Sequence, residues 1–162
     1  MTKEESKLKI LKENYKKIQA QHNLPSFEKL NEDFQIERIA EIETDFLIRE
    51  VRKYVADRLS NYLRSIEGIL NPSNAPMFVF SIIKAIDSND KKKFAEIYKK
   101  LSEIELELIE LDIEFSEKKE AEFIKNSYKV WQEIKKELLE IVASIKKNWD
   151  NKSEANGRGY FG

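Results

Sequence analysis

The chain has one imidazole, His22, and no cysteine. Any Ser–His–acid nucleophile would have to use that histidine. It stands where the first helix is expected to end, and a partly protonated imidazole suits a helix C-terminus. Without cysteine there is no thiol nucleophile, no disulfide and no thiolate metal site. Gly68 is the only glycine ahead of residue 157, so no glycine-rich loop exists to cradle a phosphate.

Carboxylates are plentiful, with 23 Glu in 162 residues. Ferritin-like sites need Glu-x-x-His pairs on facing helices, and this sequence has none. Glu-x-x-Glu occurs at Glu107/Glu110, Glu114/Glu117, Glu117/Glu120 and Glu137/Glu140. Helical nucleotide pyrophosphohydrolases add a later Glu-x-x-Asp to hold Mg²⁺, a spacing that does not occur here. Asp87 and Asp90 share the spacing but lie in a predicted turn, where helix capping explains them. No residue is assigned to catalysis, to a cofactor or to a metal, and the chain is expected not to be an enzyme. An enzyme with an unrecognised acidic site ranks third among the readings.

Basic side chains gather in the first helix, at Arg49, Arg52 and Lys53, and at Lys91, Lys92 and Lys93 with Lys99 and Lys100. Nucleic-acid binding needs such clusters. The 29 basic and 30 acidic residues nearly cancel, however, so no global field favours a polyanion. Pairs at i,i+4 spacing, Asp45 with Arg49 and Lys53 with Asp57, suggest solvated helix faces. Contact with nucleic acid through these clusters is the second reading, and it is expected to be weak.

The segment from Ile104 to Phe115 is the most distinctive. Projected at about 100° per residue, Ile104, Leu108, Leu111 and Phe115 form one stripe. Leu106, Ile109 and Ile113 form a second on the opposite side, with acids between the two. Residues 103–122 hold nine acids and two lysines, a net of −7. Either the helix is central and packed on both sides, or the second stripe meets a partner. Burying three such side chains is worth roughly 5–9 kcal/mol gross. Association costs about 4–15 kcal/mol. That balance favours packing within the chain and predicts Leu106, Ile109 and Ile113 to be buried. Tyr160 and Phe161, on a glycine-rich tether, are further candidate partner contacts.

Elements must position these groups. Neither Gly nor Pro occurs between Met77 and Asn156, and Glu, Lys, Leu and Ile recur at spacings of three and four. The class predicted is all-α: an elongated antiparallel bundle of four or five helices. The first spans about 3–21. Ser26 caps a short turn through Phe27 and Leu30. A long helix covers about 33–70, with a kink near Phe46–Ile48 if the molecule is compact. Residues 76–87, apolar all round, are expected to be a buried helix, with a buried strand as the alternative. Ser88 or Asn89 then caps a helix that reaches Phe115, and Ser116 caps the last.

One helical domain (1–150) with a flexible tail (151–162) is the expected organisation. The charged opening residues and the lack of a long apolar run point to the cytoplasm, and no membrane, small-molecule or cofactor partner is expected. The favoured function is a non-catalytic protein-interaction or assembly module, bound to another protein or to itself.

Overall fold

The computed structural model describes the backbone of residues 1–159 and the side chains of residues 1–149. Those residues are all-α, with no strand among them. They form six α-helices and one short 3-10 helix: α1 (Lys3–His22), α2 (Phe27–Phe34), the 3-10 turn Ile36–Glu41, α3 (Leu47–Leu70), α4 (Met77–Ala85), α5 (Ser88–Ile113) and α6 (Glu117–Gly159). None is long and apolar enough to cross a membrane. The helical backbone of α6 continues past residue 150 as far as Gly159.

The helix ends follow local chemistry. Thr2 and Glu5 form a reciprocal capping box on α1. Asn23 closes that helix in the left-handed conformation, at φ 54°. Ser26 caps α2 by accepting from the Lys29 N–H. Asp87 caps α5, its carboxylate accepting from the Asp90 N–H at 2.7 Å. That is one residue earlier than the expected Ser88 or Asn89. Ser116 accepts from the Lys119 N–H at the start of α6.

The expected long helix over 33–70 is broken. Gln35 adopts φ 55° and closes α2, after which the chain runs as a 3-10 turn and then turns extended at Ile42. The Asn31 side chain clamps this bend, accepting from the Glu37 N–H at 2.8 Å and donating to the Glu37 carboxylate at 3.0 Å. Thr44 accepts from the Phe46 N–H, a local bond that competes with helix, and α3 starts only at Leu47. The spacing of Ile36, Ile39 and Ile42 is three and three, the 3-10 period, and Ile36 and Ile39 are buried by it.

The chain divides into two compact units: residues 1–60 with 103–131, and residues 61–102 with 132–162. The divisions fall inside α3, α5 and α6. In the first unit, Tyr15, Leu30, Ile36 and Val55 are fully buried with Ile124. The Tyr15 phenol donates to the Pro25 carbonyl at 2.6 Å, and its ring packs edge-on against Phe27. Burial, helped by nearby Glu28, pushes that phenol well above its ordinary pKa.

The first unit also encloses an ion pair. Arg52 of α3 is 4% exposed and Glu120 of α6 is 0% exposed. The guanidinium donates from Nε to one Glu120 oxygen at 2.7 Å and from Nη2 to Asp112 at 3.2 Å. The second unit is organised around Ile66, Ile97, Leu101, Ile134 and Ile141. There Lys100 donates to Glu137 at 3.0 Å, which raises the pKa of the ammonium above its usual value.

Helix α4 corrects a second expectation. Residues 76–87 were expected to be buried because no polar face is apparent. They form a helix, but Met77, Phe78 and Phe80 are 87%, 66% and 44% exposed, and within the helix only Ala85 is buried. A helix of nine residues between two turns lays only one side on its unit, so the other side faces water whatever its composition.

Candidate interaction surface

The C-terminal half of α5 is held on two sides within its unit and borders an open depression on a third. Its inner stripe enters the core, with Ile104 and Leu111 buried. On one flank Glu105 accepts from the Ser60 hydroxyl at 2.7 Å, and Asp112 accepts from Arg52. Both donors belong to α3. On the other flank Glu107 and Glu110 line an open depression of about 290 Å³ with Lys119, Glu122, Phe123 and Asn126 of α6. The fourth side is left open.

That open side carries the second stripe. Leu106 is 65%, Ile109 50% and Ile113 81% exposed. The expectation that these residues pack within the chain is therefore incorrect. The core takes one face of α5, α3 bonds one flank, the open depression toward α6 lies on the other, and no described element covers the remaining face. Glu103, Glu107, Glu110 and Glu114 lie along one edge of the stripe, at about 40–160° from its members. Crowding is visible there: partial burial first, then Glu110 and Glu103, raise the Glu107 carboxyl above its usual pKa.

A separate pair of exposed aromatic rings lies just past the helix end. Phe115, expected to extend the core stripe, falls beyond α5 and is 46% exposed. Its ring meets the exposed Phe46 edge-on at 6.0 Å. The Arg49 guanidinium lies 5.5 Å over the Phe115 ring, a cation–π contact.

The basic candidates are dispersed differently from their sequence spacing. Arg52 is buried on Glu120 and Asp112 and is not presented to solvent. Arg49 sits on Phe115 rather than on Asp45, and Lys53 reaches Glu50 at 3.2 Å rather than Asp57. In the second unit Lys91 and Lys92 are exposed, while Lys93 pairs with Glu140 at 3.2 Å. His22 Nε2 lies 3.0 Å from Glu117, tying the end of α1 to the start of α6. Tyr160 and Phe161 lie outside the described residues.

Sequence reasoning missed the Arg52–Glu120 pair, although its signal was present. Glu120, Ile124, Ser127, Trp131 and Ile134 follow spacings of four, three, four and three, so Glu120 occupies a core position of α6. Arg52 likewise falls in line with Ile48, Val55 and Leu59. A charged residue in each of two apolar stripes is the trace that a buried pair leaves.

Compared with known protein families, curated proteins and solved structures, the chain matches none.

Proposed function

We propose that this chain is a non-catalytic protein-interaction module whose docking element is the open face of α5. One observation carries the reading: three large aliphatic side chains at helical spacing stand half to four-fifths exposed on a helix whose opposite face is buried in the core. Contiguous apolar surface of this kind, rimmed by charge, marks interaction sites. The pattern of anchors is that of helix-to-groove or helix-to-helix recognition.

The acidic edge specifies the partner. Glu114 is paired with Lys119 at 3.6 Å. A surface set against Glu103, Glu107 and Glu110 needs lysine or arginine beside its own apolar residues, or it strands carboxylates against a neutral wall. The partner is therefore an amphipathic, apolar and basic protein surface. The roughly 5–9 kcal/mol that the three anchors supply does not clear the association cost of about 4–15 kcal/mol, so a stable complex needs further contact around them.

Site-directed photo-cross-linking tests this. A photoreactive residue at position 109 is compared with one at the exposed Lys129. Any captured protein is purified and its affinity measured for wild type and for Leu106→Gln/Ile113→Gln. Capture at 109 alone, of a partner whose cross-linked segment is apolar and basic and which binds the double variant more weakly, supports the proposal. Equal capture at both positions, or unchanged affinity, refutes it.

A further inference from the structure

The second unit carries a face of the chemistry that the α5 stripe calls for. On α6 between residues 132 and 149, the acids Glu133, Glu137 and Glu140 all turn toward α5. Glu137 and Glu133 meet Lys100 at 3.0 and 3.8 Å, and Glu140 meets Lys93 at 3.2 Å. Projected at about 100° per residue, Leu139, Val142, Lys146 and Trp149 fall within about 80° of one another and at least about 100° from those acids. Leu139 is 66% and Val142 45% exposed, and Lys146 is exposed.

Helix α4 extends this face. The Phe78 ring lies 6.0 Å from that of Trp149, and the Asn148 amide donates to the Ala85 carbonyl at 2.9 Å. The exposed side of α4 carries Met77, Phe78 and Phe80 together with Lys84. Aliphatic and aromatic side chains are thus interleaved with lysines, and no carboxylate lies in that sector of α6 between 132 and 149.

We infer that the partner of the α5 stripe is a second copy of this chain, which docks head-to-tail through its α4–α6 face. The inference rests on the reading proposed above and names the partner. Charge complementarity decides the geometry. In an antiparallel pair of α5 stripes the two-fold axis would set Glu103, Glu107 and Glu110 of both copies along the same side. In a parallel pair each such edge would face the Glu105 and Asp112 edge of the other copy, so both isologous arrangements bring acids together. Acidic stripe against basic face is attractive, and such a contact is heterologous. Each copy then keeps one free stripe and one free face, so assembly continues into rings or open chains.

Sedimentation velocity over a range of protein concentrations tests this with the full chain. The stripe is altered by Leu106→Gln/Ile113→Gln and the basic face by Leu139→Glu/Lys146→Glu. All four positions are on exposed residues, and circular dichroism melts verify each fold. Glu107→Lys/Glu110→Lys and Lys84→Glu/Lys146→Glu replace any variant that does not fold. Wild type should form species larger than a dimer as concentration rises, and each variant alone should associate about tenfold or more weakly. An equimolar mixture of the two variants, which together keep one intact stripe and one intact face, should recover association but stop at a one-to-one dimer.

Wild type that stays monomeric overturns self-assembly. If the same protein still captures a basic, apolar partner at position 109, the docking stripe survives and only its occupant was misidentified. Variants that associate like wild type, or a mixture that does not recover, also overturn it. So does a monomer that binds phosphatidylserine-containing vesicles and loses that binding in Leu139→Glu/Lys146→Glu, which would assign the basic face to a lipid surface.

Discussion

Removing Arg52 should be the most damaging single polar substitution in the first unit. The guanidinium holds Glu120, whose side chain is 0% exposed, through bonds of 2.7 and 3.4 Å. Arg52→Met keeps much of the aliphatic stem but strands that carboxylate without a counter-charge. An uncompensated buried charge costs about 3–5 kcal/mol. For a chain of this size that lowers the melting temperature by roughly 6–20 °C. Glu120→Gln is milder, because Arg52 retains Asp112 at 3.2 Å, which reaches solvent, and the amide oxygen can still accept a hydrogen bond. Losing the charge-assisted part of the interaction should cost about 1.5–3 kcal/mol. The double variant Arg52→Met/Glu120→Gln buries no charge and should fall short of the sum of the single losses by about 0.5–3 kcal/mol. Urea unfolding followed by circular dichroism supplies the cycle. A loss under about 1 kcal/mol in Arg52→Met, or a double variant as unstable as the singles added together, would refute the reasoning.

Three further outcomes follow from single sites. Gly68 lies inside α3 without a positive φ, and nothing stands within 4 Å of where a Cβ would be, so Gly68→Ala should stabilise by about 0.5–1 kcal/mol in urea titrations. Tyr15→Phe removes the bond to Pro25 and should cost about 1–2 kcal/mol at pH 7. The folded chain holds the Tyr15 proton more tightly than the unfolded chain. That stability is fully present below the ordinary tyrosine pKa and is lost as pH rises toward the folded value, so the gap between wild type and Tyr15→Phe should narrow in alkaline urea melts. Glu107 has a raised pKa, so its ionisation opposes folding as pH rises through that value. Glu107→Gln should therefore gain roughly a few tenths of a kcal/mol near neutrality, a value kept small by solvent exposure, and nothing below the ordinary Glu range.

Helix content was legible because α-periodic apolar spacing and the absence of breakers act locally. The caps at Ser26 and Ser116 were legible for the same reason, while the Thr2–Glu5 capping box went unread. The break at 42–46 was harder to read, since Ile36, Ile39 and Ile42 suit an α-helix and a 3-10 turn alike until Asn31 and Thr44 supply competing bonds. Whether an apolar face is covered depends on neighbours distant in sequence. The all-apolar α4 was read as core from its composition, and the aliphatic stripe of α5 from the balance of burial gain against association cost. The exposure of the α5 stripe could emerge only once α3 and α6 were seen to lie along the two flanks of α5 and leave its outer face uncovered. The exposed residues of the candidate site were thus identified by spacing, while their setting was not.

The most direct test is the pairing of a thermal melt with a binding measurement on Leu106→Gln/Ile113→Gln. Leu106 and Ile113 are 65% and 81% exposed, so their replacement by a helix-compatible polar residue should leave stability within about 1 kcal/mol of wild type. Complex formation, whether with another copy or with a separate protein, should fall by about tenfold or more. A variant that melts many degrees lower would return these residues to the core, and one that keeps both its stability and its complexes would remove the α5 stripe from the interface.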